Sequence, residues 1–329
     1  MTDSETAGTL EVPARSIPVP TSVSPEAQAY LARGRLQVPE NPPIDDIEGW
    51  RNRIATIDEM MLKRQAELGN VTPSGFDVTE VALDSTKVYA ITPPGLDPAD
   101  RRVYLDAHGG AFIVGGGELC RAGGIRTAEK YKMRVWTVDY RMPPDHPVPA
   151  AVDDCLAAYR LLLQDHDPAD IVVGGVSAGG NLAAALVLRA RDEGLPMPAA
   201  ALLLTPALDL TQSGDTYKTN LGVDTVLTSS ERSELLLYAG DHDLTDPYVS
   251  PLFGDFSKGF PPTLLASGTR DVLLSSAVRM HRALRAVGVP ADLHVLEAAP
   301  HGFFSGVAPE DKELDREVRA FIDAHCPLT

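Results

Sequence analysis

The sequence Gly174-Gly175-Val176-Ser177-Ala178-Gly179-Gly180 follows the apolar run at residues 171–173 and precedes a helix-forming run at residues 181–188. A serine in a Gly-x-Ser-x-Gly sequence between a strand and a helix occupies a sharp turn, because the glycines lack the Cβ atoms that would collide there. The turn exposes the hydroxyl beside a helix N-terminus, where N–H groups and the helix dipole favour negative charge. The pattern therefore predicts that Ser177 is a nucleophile.

The Gly-x-Ser-x-Gly sequence at residues 175–179 alone also fits an ordinary Gly/Ser turn, so the prediction depends on residues elsewhere in the chain. Asp271 follows a strand-like run at residues 262–267, and His301 follows another at residues 291–296. The three residues occur along the chain in the order serine, acid, histidine, which differs from the orders of chymotrypsin and subtilisin. It is the order found in hydrolases whose nucleophile lies on a sharp turn between a strand and a helix. We expect His301 to be the base and Asp271 to orient it.

The position of Asp271 allows a second interpretation, because an aspartate there also suits the N-cap of a helix predicted over residues 275–287. Glu297 lies close to His301 in sequence and is the second candidate for the acid. The other histidines are less suited to act as the base, since they lie within a strand, in helical or polar surroundings, or in a loop: His146, His166, His242, His281, His294 and His325.

A second glycine-rich element, His108-Gly109-Gly110-Ala111, follows a strand-like run at residues 103–107. Two consecutive glycines let the main chain approach a substrate within hydrogen-bonding distance, and backbone N–H groups in such a loop face the oxygen of a tetrahedral intermediate. A plain glycine-rich turn is the alternative. The complete strand and helix pattern between this loop and Ser177 favours the oxyanion-binding interpretation.

On these segments the chain resembles the bacterial hormone-sensitive-lipase-like carboxylesterases (family IV) of the α/β-hydrolase superfamily. The resemblance implies a triad of Ser177, His301 and Asp271, with N–H groups of Gly109, Gly110 and Ala178 as donors to the oxyanion. The segments that carry it, from about residue 80 onward, are residues 108–111, 139–147, 175–181, 271–273 and 301–303.

Two positions depart from the family pattern. Val176 stands where members commonly have Asp or Thr, and Ala111 stands where they have a third glycine. Neither position supplies a triad atom, so the departures concern the subgroup and the shape of the pocket beside the nucleophile.

The resemblance implies a serine esterase that hydrolyses short- to medium-chain acyl esters through an acyl-enzyme. The substrate is then a small-molecule ester, and the mechanism requires no cofactor and no metal. Lactone hydrolysis and amidase or peptidase activity use the same triad and remain alternatives. A non-catalytic receptor, as in the plant gibberellin receptors that resemble this family, has lost the catalytic histidine, whereas this chain retains His301.

Strand-like and helical segments alternate from Phe76 onward, which predicts an α/β fold with a mostly parallel sheet, helices on both faces, and the site at the strand C-terminal edge. Residues 71–208 and 249–329 are expected to form the two parts of the catalytic domain, and residues 209–248 a cap insertion with a helix from Ser229 to Ala239. The predicted strands are residues 78–83, 87–92, 102–107, 134–139, 171–174, 199–204, 262–267 and 291–296.

Residues 1–70 are expected to form an N-terminal segment that contributes helices to the cap. A helix predicted from Asp46 to Leu68 carries an apolar stripe, because its apolar residues recur at steps of three and four. The resemblance pairs this helix with the insertion as a lid, and contact with a second subunit, giving a homodimer, is the alternative. The stripe consists of Ile47, Trp50, Ile54, Ile57 and Met61.

The net charge of the 329-residue chain is −17, from 29 Lys and Arg against 46 Asp and Glu. This balance opposes binding to nucleic acid and to anionic membranes. We see no secretory signal and no apolar run long enough for a membrane span, and the three cysteines (Cys120, Cys155 and Cys326) show no metal-ligand spacing and suit reduced thiols. These features predict a cytoplasmic protein.

Overall fold

The fold is built on a single mixed sheet. The structure is a computed structural model that describes residues 8, 10, 12–67, 73–228 and 233–328. In these residues the strands are β1 (Asp77–Ala82), β2 (Lys87–Thr92), β3 (Val103–Ala107), β4 (Arg134–Asp139), β5 (Ile171–Val176), β6 (Ala200–Leu204), β7 (Thr263–Gly268) and β8 (Ala291–Leu296).

The strands lie in the order β1-β2-β4-β3-β5-β6-β7-β8. β1 and β2 are antiparallel to their neighbours, and every pairing from β4 to β8 is parallel. All the predicted strands are confirmed within one or two residues, although β5 continues through Gly175 and Val176 up to Ser177. In a parallel sheet the C-terminal strand ends share one edge, so the loops after β3, β5, β7 and β8 meet there.

Helices cover both faces of the sheet. Alternate residues of β3 face opposite layers: Val103 and Leu105 lie in one cluster with side chains of the helices at residues 150–165, 178–192 and 274–286, and Tyr104 lies in another with side chains of the helices at residues 25–32, 118–131 and 309–325. The described helices are α1 (Pro25–Ala32), α2 (Ile47–Glu67), α3 (Glu118–Tyr131), α4 (Ala150–Asp165), α5 (Ala178–Asp192), α6 (Thr216–Thr219), α7 (Ser233–Ala239), α8 (Leu274–Ala286) and α9 (Pro309–His325). None of them combines the length and the apolar composition needed to span a bilayer.

Two predicted helix boundaries, Leu68 and Ser229, lie outside the described residues, as does the junction between residues 70 and 71. The described parts of these two helices are α2 and α7. The division of the chain into cap and catalytic parts stays a prediction.

Helix α5 lies unusually close to β3. A Cβ atom on Gly179 would lie 1.8 Å from the carbonyl oxygen of Ala107, and one on Gly175 would lie 2.3 Å from the same oxygen. Any side chain at either position would push the helix off the sheet, because protein interiors leave no space for such overlap. The glycines around Ser177 are therefore required by packing as well as by the turn.

Asn181, two residues further along α5, holds the segment at residues 209–248 to this helix. Its buried amide donates hydrogen bonds to the carbonyl oxygens of Ala207, at 2.7 Å, and Val249, at 2.9 Å. These two residues flank the segment on either side, so one side chain fixes both of its ends.

The apolar stripe of α2 is covered by residues of the same chain. Trp50 is completely buried against Ile113, Val114 and Leu237, and the stripe residues Ile54, Ile57 and Met61 are partly buried in the same cluster. Ile47 is 39% exposed because it is the first residue of the helix, outside this cluster. The buried part of the stripe is thus not available for contact with a second subunit.

We expect Trp50→Ala to lower the free energy of unfolding by about 3–5 kcal/mol, because it leaves a large cavity among buried side chains. It also removes the indole donor to the carbonyl oxygen of Pro43, at 3.1 Å. Met60→Ala is the matched control, since Met60 lies on the same helix and is 39% exposed. Urea unfolding of both variants measures the difference, and equal losses would contradict the packing described here.

Candidate active site

The three residues predicted as a triad lie together at the C-terminal edge of the sheet. Nε2 of His301 lies 2.9 Å from Oγ of Ser177, and Nδ1 lies 3.2 Å from Oδ1 of Asp271. An ionised carboxylate can only accept hydrogen bonds, so Nδ1 carries the proton and donates to Asp271. In the neutral ring Nε2 is then an acceptor, and it faces the serine hydroxyl.

Ser177 occupies a backbone conformation that non-glycine residues rarely adopt, with φ 60° and ψ −119°. Its N–H donates to the carbonyl oxygen of Leu204 at 2.8 Å, which continues the pairing of β5 with β6 through the turn. Surrounding structure of this kind is what keeps a strained residue in place. The strain points the Ser177 side chain out of the sheet and toward His301.

Asp271 is completely buried, and its carboxylate accepts three hydrogen bonds. Oδ2 accepts from Oγ of Ser267 at 2.7 Å, while Oδ1 accepts from the N–H of Leu273 at 2.8 Å and from His301. The N-cap interpretation is wrong, because α8 begins at Leu274 and Leu273 is its N-cap. Glu297, the second candidate acid, is exposed. The structure therefore pairs His301 with Asp271.

The pKa of His301 reflects opposing effects. Burial lowers it, but the negative charge of Asp271, the hydrogen bond to that carboxylate and the charge of Asp224 together outweigh burial and leave the pKa above its ordinary value. An imidazolium at this position is accordingly stabilised. That property suits a base that must hold a proton during a reaction.

The loop after β3 lies against Ser177 because its residues are glycines. A Cβ atom on Gly109 would lie 2.9 Å from the carbonyl oxygen of Val176, and one on Gly110, whose φ is +124°, would lie 2.0 Å from that of Val114. Among the described residues, the N–H groups of Gly109 and Gly110 donate to no protein acceptor. Ala178 is the first residue of α5, so its N–H also lacks a partner within the helix.

This loop is fixed on two sides. The ring of His108 stacks on Tyr140 with centroids 4.0 Å apart, and the Tyr140 hydroxyl donates to the carbonyl oxygen of His108 at 2.8 Å. From α2, Oδ1 of Asp58 accepts the N–H of Gly115 at 2.9 Å. The oxyanion-loop candidate is thus held both by the end of β4 and by the N-terminal helix.

Sequence reasoning missed Asp58 and also Asp224. Asp224 is completely buried, and its carboxylate accepts the N–H groups of Val272 at 3.0 Å and His301 at 3.3 Å. Both residues bind backbone groups of sequentially distant loops, and no motif surrounds either of them. A sequence pattern offers no signal for such a contact.

One group of side chains in the described residues has donor atoms of the metal-binding types close together: His108, Cys120 and Asp139, within 4.8 Å of one another. Burial raises the pKa of the Cys120 thiol well above its ordinary value and lowers the pKa of His108 to about 4. Asp139 already accepts the N–H of Gly117 at 2.8 Å. Nδ1 of His108 likewise has a backbone partner, the carbonyl oxygen of Gly109 at 2.8 Å, so the group fits a hydrogen-bonded cluster better than a metal centre.

Comparison with known proteins identifies the family to which the chain belongs. The sequence pattern of the alpha/beta hydrolase fold family matches residues 104–305. The chain belongs to this family. It is 31% identical over 338 residues to the carboxylic ester hydrolase LipN of Mycobacterium tuberculosis, an alignment that covers 92% of this chain and 84% of that protein.

Two solved structures are similar over almost the whole chain. One is the crystal structure of an esterase E25, with a TM-score of 0.84 and 34% identity, covering 96% of this chain and 99% of that one. The other is an esterase from the bacterial hormone-sensitive lipase family, with a TM-score of 0.78 and 30% identity, covering 93% and 100%. These comparisons confirm the predicted fold, the hormone-sensitive-lipase-like family and the carboxylic ester hydrolase class.

We expect Asp58→Ala to lower kcat about tenfold, because the loop at Gly109 and Gly110 loses one of its anchors and sub-ångström displacement of oxyanion donors is costly. Asp58→Asn retains an acceptor oxygen and should remain close to wild type. Glu59→Ala, an exposed neighbour on the same helix, is the control. Steady-state kinetics on one activated ester compares the three variants, and an Asp58→Ala enzyme with unchanged kcat would rule out this anchoring role.

Proposed function

We propose that the chain is a serine carboxylesterase that hydrolyses short- to medium-chain acyl esters through an acyl-enzyme intermediate. The observation that carries the proposal is the hydrogen bond between Oγ of Ser177 and Nε2 of His301, at 2.9 Å, beside backbone N–H groups of Gly109 and Gly110 that have no acceptor in the described part of the chain. A nucleophile in contact with its base and next to oxyanion donors is the minimal arrangement for acyl transfer.

In the first step, Oγ of Ser177 attacks the ester carbonyl carbon while Nε2 of His301 removes the hydroxyl proton. Asp271 stabilises the imidazolium that results. The negative charge on the carbonyl oxygen is held by the N–H groups of Gly109, Gly110 and Ala178. Collapse of the tetrahedral intermediate transfers the proton from His301 to the leaving alcohol and leaves an acyl group on Ser177.

In the second step, water takes the place of the alcohol. His301 removes a proton from the water as its oxygen attacks the acyl carbonyl, and the same N–H groups hold the new oxyanion. The Ser177 oxygen leaves with the proton from His301, which releases the carboxylic acid and restores the enzyme. All the groups required are backbone N–H donors and three side chains.

We further propose that α2 and the segment at residues 209–248 form a lid that limits acyl length. The support is the position of Trp50, which contacts Leu237 of α7 and also Ile113 and Val114 of the oxyanion-loop candidate. An ion pair between buried Arg53 and partly buried Glu234, at 3.0 Å, joins the same two helices. Helices that cover the catalytic edge restrict long chains, since pocket walls discriminate by roughly 1–3 kcal/mol per methylene.

A substrate panel tests the proposed activity. We expect the highest kcat/KM on p-nitrophenyl esters of short and medium acyl chains, a decline toward long chains, and little turnover of aminoacyl anilides. Simple lactones belong in the same panel because they react with the same triad. An enzyme that prefers anilides would reassign the chain to the amidases.

Ser177→Ala and His301→Ala should each remove nearly all esterase activity, because the two residues act in one covalent step. The double variant should be no worse than the single variants by more than a few-fold. Circular dichroism and thermal unfolding provide the control that the fold is intact. Retention of more than about a hundredth of the wild-type kcat by Ser177→Ala would show that Ser177 is not the nucleophile.

Asp271→Asn should reduce kcat by about 10⁴-fold, since an amide does not stabilise the imidazolium and favours the wrong tautomer. The base must be neutral, so activity rises as pH rises through the pKa of His301. Because the charge of Asp271 raises that pKa, its removal should move the acid limb of kcat/KM to lower pH. Glu297→Gln is the matched control, and a larger loss there than at Asp271 would transfer the acid role to Glu297.

A further inference from the structure

The segment at residues 220–227, here named the clamp segment, binds the turn that carries Asp271 from two sides. On one side, Nδ2 of Asn220 donates to the carbonyl oxygens of Thr269 at 3.1 Å and Asp271 at 2.8 Å. On the other side, Oδ2 of Asp224 accepts the N–H of Val272 at 3.0 Å. Backbone C=O and N–H groups of residues 269–273, here named the acid turn, thus have partners in one short segment.

The same carboxylate also reaches the loop of the base. Oδ1 and Oδ2 of Asp224 each lie 3.3 Å from the backbone nitrogen of His301. Oδ1 additionally accepts the N–H of Val226 at 2.8 Å and of Leu227 at 3.3 Å, which fixes the carboxylate within its own segment. One buried side chain therefore joins the loop after β7, the loop after β8 and the clamp segment.

The clamp segment is in turn held by the N-terminal part of the chain. The N–H of Leu36 donates to the carbonyl oxygen of Thr225 at 2.7 Å, and the guanidinium of Arg35 donates to that of Gly222 at 2.8 Å. These contacts lie on either side of Asp224. The position of the Asp224 carboxylate is accordingly set by residues outside the loops that carry Asp271 and His301.

We propose that Asp224 is a positioning residue of the triad: it fixes the separation of Asp271 and His301 by binding the backbone of both loops. This inference rests on the proposed function, because it assigns a role within the same reaction. Asp224 does not touch the reacting atoms, and its effect on the chemistry is exerted through the two residues that it holds.

A carboxylate suits this position better than an amide. The four hydrogen bonds that the Asp224 side chain accepts from described residues all come from backbone N–H groups, those of Val226, Leu227, Val272 and His301, and a carboxylate is acceptor-only. In Asp224→Asn, an amide oxygen directed at Val226 turns the NH₂ group toward Val272 and His301. Two donors then face each other in a buried space, which separates the loops or reorients them.

The carboxylate also contributes charge next to the base. Within the described ranges of the chain, the groups that hydrogen-bond to the His301 ring or to its backbone N–H are Ser177, Asp271 and Asp224, and the two carboxylates both raise the pKa of the imidazole. Burial raises the pKa of Asp224 itself, and the positive charge on His301 opposes that effect. Loss of the carboxylate thus has an electrostatic signature as well as a geometric one.

Asp224→Asn tests the proposal. We expect kcat on a small activated ester to fall about 10- to 100-fold with little change in KM, because the reacting groups are misplaced while the lid and the binding surface stay in position. We also expect the acid limb of the pH profile to move to lower pH, because a negative charge near the imidazolium is removed. A variant that is merely less folded loses active enzyme without such a pH shift.

Asp243→Asn is the matched control. Asp243 lies in the same 209–248 segment and likewise accepts a nearby backbone N–H, from Thr245 at 2.8 Å, but it is exposed. We expect this variant to keep the wild-type kcat and pH profile. If Asp224→Asn behaves like Asp243→Asn while Ser177→Ala is inactive, the positioning role is wrong and the proposed esterase function stands. If Ser177→Ala is active, the proposed function fails instead.

Asn220→Ala decides the question should Asp224→Asn not fold. Asn220 is only partly buried, and its removal frees the acid turn on one side while Asp224 remains. We expect a smaller fall in kcat, with KM unchanged and no shift of the acid limb, since no charge is lost. An unchanged kcat in this variant would contradict the proposal that the clamp segment positions the turn that carries Asp271.

Discussion

The contact between the start of α5 and the end of β3 is the constraint on which the site depends. Gly175 and Gly179 bring the nucleophile turn so close to the carbonyl oxygen of Ala107 that no side chain fits between them. The next residues of the β3 loop, His108 and Gly109, therefore lie beside Ser177. Ser177 and the predicted oxyanion donors are neighbours because two strands and one helix are packed with no space for a Cβ atom between them.

Buried charge at this edge of the sheet is balanced by backbone donors as well as by His301. Asp271 and Asp224 are both fully buried, and each accepts backbone N–H groups of the acid turn in addition to its contact with His301. A single carboxylate beside the base could orient it without fixing the loops that carry acid and base. The second carboxylate supplies that restraint, and it comes from the one part of the chain that interrupts the strand and helix alternation.

The fold and the reacting side chains follow from sequence because both depend on local patterns. Apolar runs between helical segments gave the strands, and the glycine pattern around Ser177 gave the turn, since steric demands at a turn act over a few residues. The pairing of Asp271 with His301 was predicted from chain order, from the position of each residue after a strand and from the family resemblance, and Glu297 could be set aside only when its exposure was seen. Chain order finds candidates, and geometry selects among them.

Asp58 and Asp224 could not be predicted for a common physical reason. Each binds backbone N–H groups, and every residue except proline offers such a group, so the partner leaves no trace in the sequence. Both also come from the segments proposed as the lid, Asp58 from α2 and Asp224 from the clamp segment. These two segments thereby contact the backbone of the loops that carry Gly115, Asp271 and His301. On the proposed function, the same elements cover the substrate and restrain the catalytic groups, so acyl selectivity and catalytic rate are not independent. A sequence change that reshapes such a lid would also alter how firmly the reacting atoms are held.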